Sequence, residues 1–150
     1  MAQLKNYHKI ISKAVRLVFM VLFVYAGTSK ILDFETFKFQ LERSPYIMPH
    51  AAELAWGIPS LEYLVAVLLL LPRYSLIGLY TSLGVILTFT GYIYIVLNYS
   101  NSVPCSCGGL ISTLSWTEHL QFNLLLIVLT IFGILISHKL KAQMPENNTT

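Results

Sequence analysis

Residues 74–97 read YSLIGLYTSLGVILTFTGYIYIVL, twenty-four mostly apolar residues without a single charge. A helix of that length reaches about 36 Å at ~1.5 Å per residue, enough to cross a ~30 Å hydrocarbon core with tilt. The uncharged region is longer still, since no Asp, Glu, Lys or Arg lies between Arg73 and Glu118. The whole chain shows the same bias. Charged residues make up 11% of its 150 positions, against ~25% in soluble domains. Apolar residues make up 55%, and the mean hydropathy is +0.65. That composition excludes a disordered chain and a disulfide-stapled secreted miniprotein. The net charge of +3 carries no basic run interleaved with aromatics, so nucleic acid is not an expected partner. The solvent this sequence is built for is the lipid bilayer.

Three further segments fit the same reading. Leu120–Ser137 is uncharged. Leu17–Ser29 is short, but Lys13, Arg16 and Lys30 flank it and can snorkel to the interfaces. Ala51–Leu71 is interrupted by Glu53, Pro59 and Glu62, and the proline predicts a bend. Only helices or closed barrels satisfy their backbone in lipid, and no strand alternation is present. The expected fold is therefore all-α: one four-span membrane domain over residues 1–150, with spans at about 11–32, 51–71, 74–97 and 117–138. Gly78 and Ser82, four apart, are expected at a helix–helix contact.

Seven of the ten Lys and Arg residues flank one set of span ends: Lys5, Lys9, Lys13, Arg16, Arg73, Lys139 and Lys141. Lys30, Lys38 and Arg43 flank the other, which predicts both termini in the cytoplasm. The segments Asp33–His50 and Asn98–Trp116 then face outward. In the first, Phe34, Phe37 and Leu41 share one face of a short interfacial helix that begins at Asp33 and ends before Pro45. A cleavable signal peptide ending near Ala26 is the rival reading of the start. Lys30-Ile31-Leu32-Asp33 reads instead as the same helix continuing.

Both cysteines lie in Val103-Pro104-Cys105-Ser106-Cys107-Gly108-Gly109, outside the membrane where disulfides persist. Residues two apart in an extended chain sit near the ~6.8 Å upper limit for a disulfide, so a turn must close the pair. Pro104, Gly108 and Gly109 supply turn-forming residues. So small a ring is strained and readily reduced, and it stabilises the fold little. The expected use of Cys105 and Cys107 is thiol–disulfide exchange, with an inert crosslink or two free thiols as the bland reading. His119, at the start of the last span, can act as base to the attacking thiol or simply face headgroups. With the two thiolates it also makes a three-ligand metal set. Asn123 lies one turn further on. Ser115-Trp116-Thr117-Glu118 reads as a capping box. Glu62 lies roughly 16 Å into its helix from Ala51, at ~1.5 Å per residue. A carboxylate at that depth either relays protons or pairs with Lys30 or a tyrosine hydroxyl to hold the bundle.

Tyr25-Ala26-Gly27-Thr28-Ser29-Lys30-Ile31-Leu32-Asp33 with Phe37, then Ser44-Pro45, Ile58-Pro59-Ser60-Leu61-Glu62, and Pro104–Gly109 with Asn123 resemble the MauE branch of the DoxX-like membrane proteins. The resemblance covers about residues 15–135. It implies a four-helix, redox-associated protein of the bacterial inner membrane, with thiol–disulfide oxidoreductase as a candidate activity rather than an assigned one. Its implied partner is a periplasmic thioredoxin-fold or cysteine-rich protein. It also implies that Cys105 and Cys107 are the redox pair and that Gly27, Lys30, Pro59 and Glu62 are motif residues. The family often has Cys-Gly-Cys-Phe-Gly where this chain has Cys-Ser-Cys-Gly-Gly, and no methylamine role is carried over. The quinone-linked disulfide-generating proteins have a similar layout but two cysteine pairs. One pair excludes an internal relay and leaves direct electron transfer to a docked quinone. The competing class is a non-catalytic anchor or assembly subunit whose cysteines lock a loop.

Overall fold

The computed structural model describes residues 2–44, 46–99 and 116–142. Those residues form five α-helices and one 3-10 turn: α1 (Ala2–Leu32), α2 (Phe34–Glu42), the turn Met48–His50, α3 (Ala51–Leu70), α4 (Ser75–Tyr99) and α5 (Trp116–Ala142). Four of them are long and apolar enough to span a membrane, at Asn6–Leu32, Met48–Leu70, Ser75–Tyr99 and Thr117–Ala142. The spans expected from the charge pattern fall in these helices to within one residue, Leu71 and Tyr74 belonging to the turn between α3 and α4. The first and last helices extend further into polar sequence than apolar content alone shows, because backbone bonding continues past the hydrophobic boundary.

The four spanning helices form a ring. α1 packs on α3 and α5, α4 packs on α3 and α5, and α1 barely meets α4 across the diagonal. Successive spans are thus neighbours, as short connections require in an up-and-down bundle. One stripe of α1, Val15, Phe19 and Phe23, meets Val65, Ala66 and Leu69 of α3, Leu79 and Ile86 of α4 and Ile134 of α5. The remaining apolar residues point outward. Leu125 and Val128 are each about two-thirds exposed, which only a lipid surround makes favourable. Hydroxyls within the spans are satisfied locally. Thr81, Ser82, Thr88, Thr90 and Thr130 each donate to the carbonyl four residues back, which removes the cost of leaving them unpaired in an apolar medium.

α3 runs unbroken through the buried Pro59, so the proline does not divide that span. Between α3 and α4 the chain turns within Leu71–Tyr74. The Tyr74 amide bonds the Leu71 carbonyl at 3.0 Å, and Ser75 Oγ bonds the Pro72 carbonyl at 2.9 Å. Just beyond, Gly78 lies so close to α3 that a Cβ there would stand 3.0 Å from the Leu69 amide nitrogen. Buried Ser82 lies one turn on. The expected small-residue contact is thus between α3 and α4.

Asp33 is the N-cap residue of α2, at the expected start, but its side chain makes no capping hydrogen bond. Its placement also differs from a helix lying flat among headgroups. Phe37 and Leu41 are buried against Ala51 and Ala55 of α3, and the Phe34 and Trp56 rings lie 4.6 Å apart. Of the three phenylalanines only Phe39 is exposed, and it by about half of its surface. The cause is a mismatch in length. α1 stops at Leu32, two residues past Lys30, whereas α3 starts eleven residues before Glu62, the partner of Lys30. The first turns of α3 therefore overshoot α1, and α2 folds back to cover them.

Candidate functional site

The last turns of α1 dock on the middle of α3 through side chains that are near neighbours in each sequence. Lys30 Nζ donates to Glu62 Oε1 at 2.8 Å and to the Ala26 carbonyl at 3.2 Å. The two charged side chains are 12% and 5% exposed, so this ion pair is buried. One residue along α3, the Tyr63 hydroxyl shares a 2.8 Å hydrogen bond with Thr28 Oγ1, which itself donates to the Val24 carbonyl at 2.7 Å. Gly27 makes room for the tyrosine, since a Cβ there would meet the ring at 3.2 Å. The Phe37 ring of α2 lies over the Lys30 ammonium, 5.8 Å from nitrogen to centroid. Gly27, Lys30 and Glu62 are thus brought to one joint, with the buried Pro59 three residues before Glu62 on α3. Of the two partners weighed for Glu62 on sequence, the structure pairs it with Lys30.

Glu62 is only half satisfied. Its Oε2 is buried and has no hydrogen-bond partner, alone in this among buried side-chain oxygens and nitrogens of the described residues. A carboxylate in an apolar setting normally fills both oxygens, because an unpaired polar atom there is costly.

The same end of the bundle carries His119 and Asn123. His119 is half-buried at the start of α5 and lies within electrostatic reach of Lys30. Asn123, one turn deeper, is buried. Cys105, Cys107 and Ser115, the residue expected to cap α5, lie outside the described residues. Connectivity alone sets them in the segment joining Tyr99 of α4 to Trp116 of α5. Among the described residues, no group of three metal-ligating side chains is gathered.

Some contacts were not foreseen from sequence. Ser44 and Tyr92 share a hydrogen bond between the α2–α3 connection and α4. At the opposite end, Ser12 bonds Ser137 at 3.1 Å and Tyr80 bonds His138 at 2.9 Å. The one sequence signal for the Thr28–Tyr63 bond was the matched spacing. Thr28 and Lys30 stand two apart on α1, facing the adjacent pair Glu62 and Tyr63.

A family model described as methylamine utilisation protein MauE matches residues 8–136. No curated protein and no solved structure matches the chain. The match runs through all four spanning helices, the Lys30–Glu62 joint and the cysteine segment, and the chain belongs to the MauE family of multi-pass membrane proteins.

Proposed function

We propose that this membrane protein carries out thiol–disulfide exchange through Cys105 and Cys107 with a thioredoxin-fold or cysteine-containing partner outside the bacterial inner membrane. The carrying observation is the placement of both cysteines. They are the chain's only two, and both fall in the connection between α4 and α5, six residues after Tyr99 and nine before Trp116. A purely stabilising role is poorly served by a bond that closes so small a loop. The family's description names methylamine utilisation, and the proposal is confined to the redox step.

In the oxidising direction for this chain, the Cys107 thiolate attacks a partner disulfide. A mixed disulfide forms and one partner thiolate leaves. Cys105, as its thiolate, then attacks the Cys107 sulfur and releases the second partner thiolate. Two electrons pass to the partner, and the two protons of the Cys105 and Cys107 thiols are released. The reverse order reduces this chain's disulfide. Cys107 is assigned the attack because the backbone amides of Gly108 and Gly109 can stabilise its thiolate. His119, at the head of α5, is the candidate base. A second thiol partner or a docked quinone closes the cycle. The competing reading is an assembly subunit with an inert cysteine loop.

Membranes from cells carrying Cys105→Ser or Cys107→Ser, run on a non-reducing gel, separate the two. A higher band that vanishes with reductant is expected for Cys105→Ser and not for Cys107→Ser. No trapped species in either, with thiol labelling fixed in one state under oxidising and reducing growth, leaves the assembly reading in place. The orientation is tested separately. Reporter fusions after Leu97 and after Leu140 are expected in opposite compartments, with the former outside. One compartment for both is incompatible with four spans.

A further inference from the structure

We propose that Glu62 Oε2 is a proton-binding site. The inference goes beyond the cysteine chemistry and stands without it. Three observations carry it. Glu62 sits about 16 Å along α3 from Ala51, at ~1.5 Å per residue, and its side chain is 5% exposed. One carboxylate oxygen is held by Lys30 and the other by nothing. Lys30 keeps a second acceptor, the Ala26 carbonyl, so its ammonium stays bonded when the charge on Glu62 changes.

A pair kept only to pin α1 to α3 gains nothing from an orphaned oxygen, which costs free energy in either protonation state unless water reaches it. The ionised carboxylate needs a donor at Oε2, and the neutral acid needs an acceptor for its proton there. Water supplies both. The step is a proton transfer alone. Hydronium gives a proton to Oε2, the carboxylate becomes a carboxylic acid, and water leaves.

The surroundings restrict the other titratable groups. From α1 the facing charge is Lys30. On α3 itself Tyr63 is bonded to Thr28. From α2 the covering group is the uncharged Phe37, while Lys38 and Glu42 pair with each other at the surface, 3.9 Å apart. From α4, Tyr92 is bonded to Ser44. Among the described residues at the head of α5, His119 lies within electrostatic reach of Lys30, and Glu118 beside it has an interaction of its own. Glu62 is thus the group in this joint with a vacant oxygen.

The test is infrared difference spectroscopy of the full chain in lipid nanodiscs, titrated in H2O and in D2O. A carboxylic C=O stretching band, shifted by deuterium, is expected to appear on acidification. It should be lost in Glu62→Gln and moved in frequency in Glu62→Asp, which keeps a carboxyl group. In Lys30→Gln the band is expected at every pH at which the bundle holds. If neither Glu62 variant folds, carbon-13 labelling of glutamate separates the band from Asp33, and a stretching frequency above that of the exposed glutamates marks it as the buried carboxyl. A wild-type spectrum with no glutamate acid band from a buried carboxyl, down to the pH of unfolding, overturns the proposal. The pair is then a fixed ionic clasp. These readouts do not involve thiols, so they stand or fall apart from the cysteine reading.

Discussion

Lys30→Met is expected to destabilise the bundle by about 3–5 kcal/mol, the usual penalty for stranding one member of a buried ion pair. The substitution keeps an unbranched apolar stem, so packing beneath the Phe37 ring changes little. What changes is that Glu62, buried and already missing a partner on Oε2, loses its only counter-charge among the contacts made by its carboxylate. Adding Glu62→Leu should return most of the loss, because a well-packed apolar pair replaces a buried ion pair at little or no cost. The loss in Lys30→Met should also shrink on acidification, since a neutral acid is cheaper to bury than a carboxylate. The measurement is an unfolding equilibrium in mixed micelles for wild type, both single variants and the double variant across a pH series. A loss below about 1 kcal/mol at neutral pH, the level of an exposed pair, would remove the joint from the list of what holds α1 to α3.

Gly78→Val is expected to cost more than any other single glycine change in the spans, by about 1–3 kcal/mol for overpacking a tight contact. The obstacle is backbone. A Cβ at 78 meets the Leu69 amide nitrogen at 3.0 Å and the Leu68 carbonyl carbon at 3.1 Å, and the Leu71–Tyr74 turn leaves α3 and α4 little room to separate. Gly133 is also crowded, with Val15 Cγ1 2.8 Å from its added Cβ, but that methyl belongs to a side chain that can shift. Gly84 and Gly91 provide the control. Nothing lies within 4 Å of an added Cβ at either, so Gly84→Ala and Gly91→Ala should leave stability unchanged or improve it, as alanine favours a helix over glycine. Equal losses at 78 and 84 would mean that the glycines act through helix propensity rather than contact.

The spanning helices were legible because their signal is additive over twenty residues and needs no knowledge of neighbours. Residues 74–97 announce a span whatever they touch. The site was legible in part. Glu62 stands out as a carboxylate at a depth where none is expected, and Lys30 was one of its two weighed partners. The choice between them depends on the register of α1 against α3, which the sequence of either helix alone does not contain. α2 shows the same limit. Phe34, Phe37 and Leu41 mark an apolar face, but whether it meets lipid or protein depends on how far α3 overshoots α1. That length difference appears only when Lys30 and Glu62 are paired. The orphaned Oε2 is an atomic property with no sequence signal beyond the glutamate itself.

The Lys30–Glu62 pair also bears on the order in which the chain enters the bilayer. An acidic or basic residue at the centre of a lone helix costs about 2.5–3.5 kcal/mol on translocon-insertion scales, and α3 carries Glu62 together with Pro59 and Glu53. It is the span least able to partition into lipid by itself. Synthesis runs from the N-terminus, so α1 has emerged, with Lys30 near its end, before α3 leaves the ribosome. Hydrophobicity commits α1 first. Its lysine then waits for the carboxylate that the next span must bring.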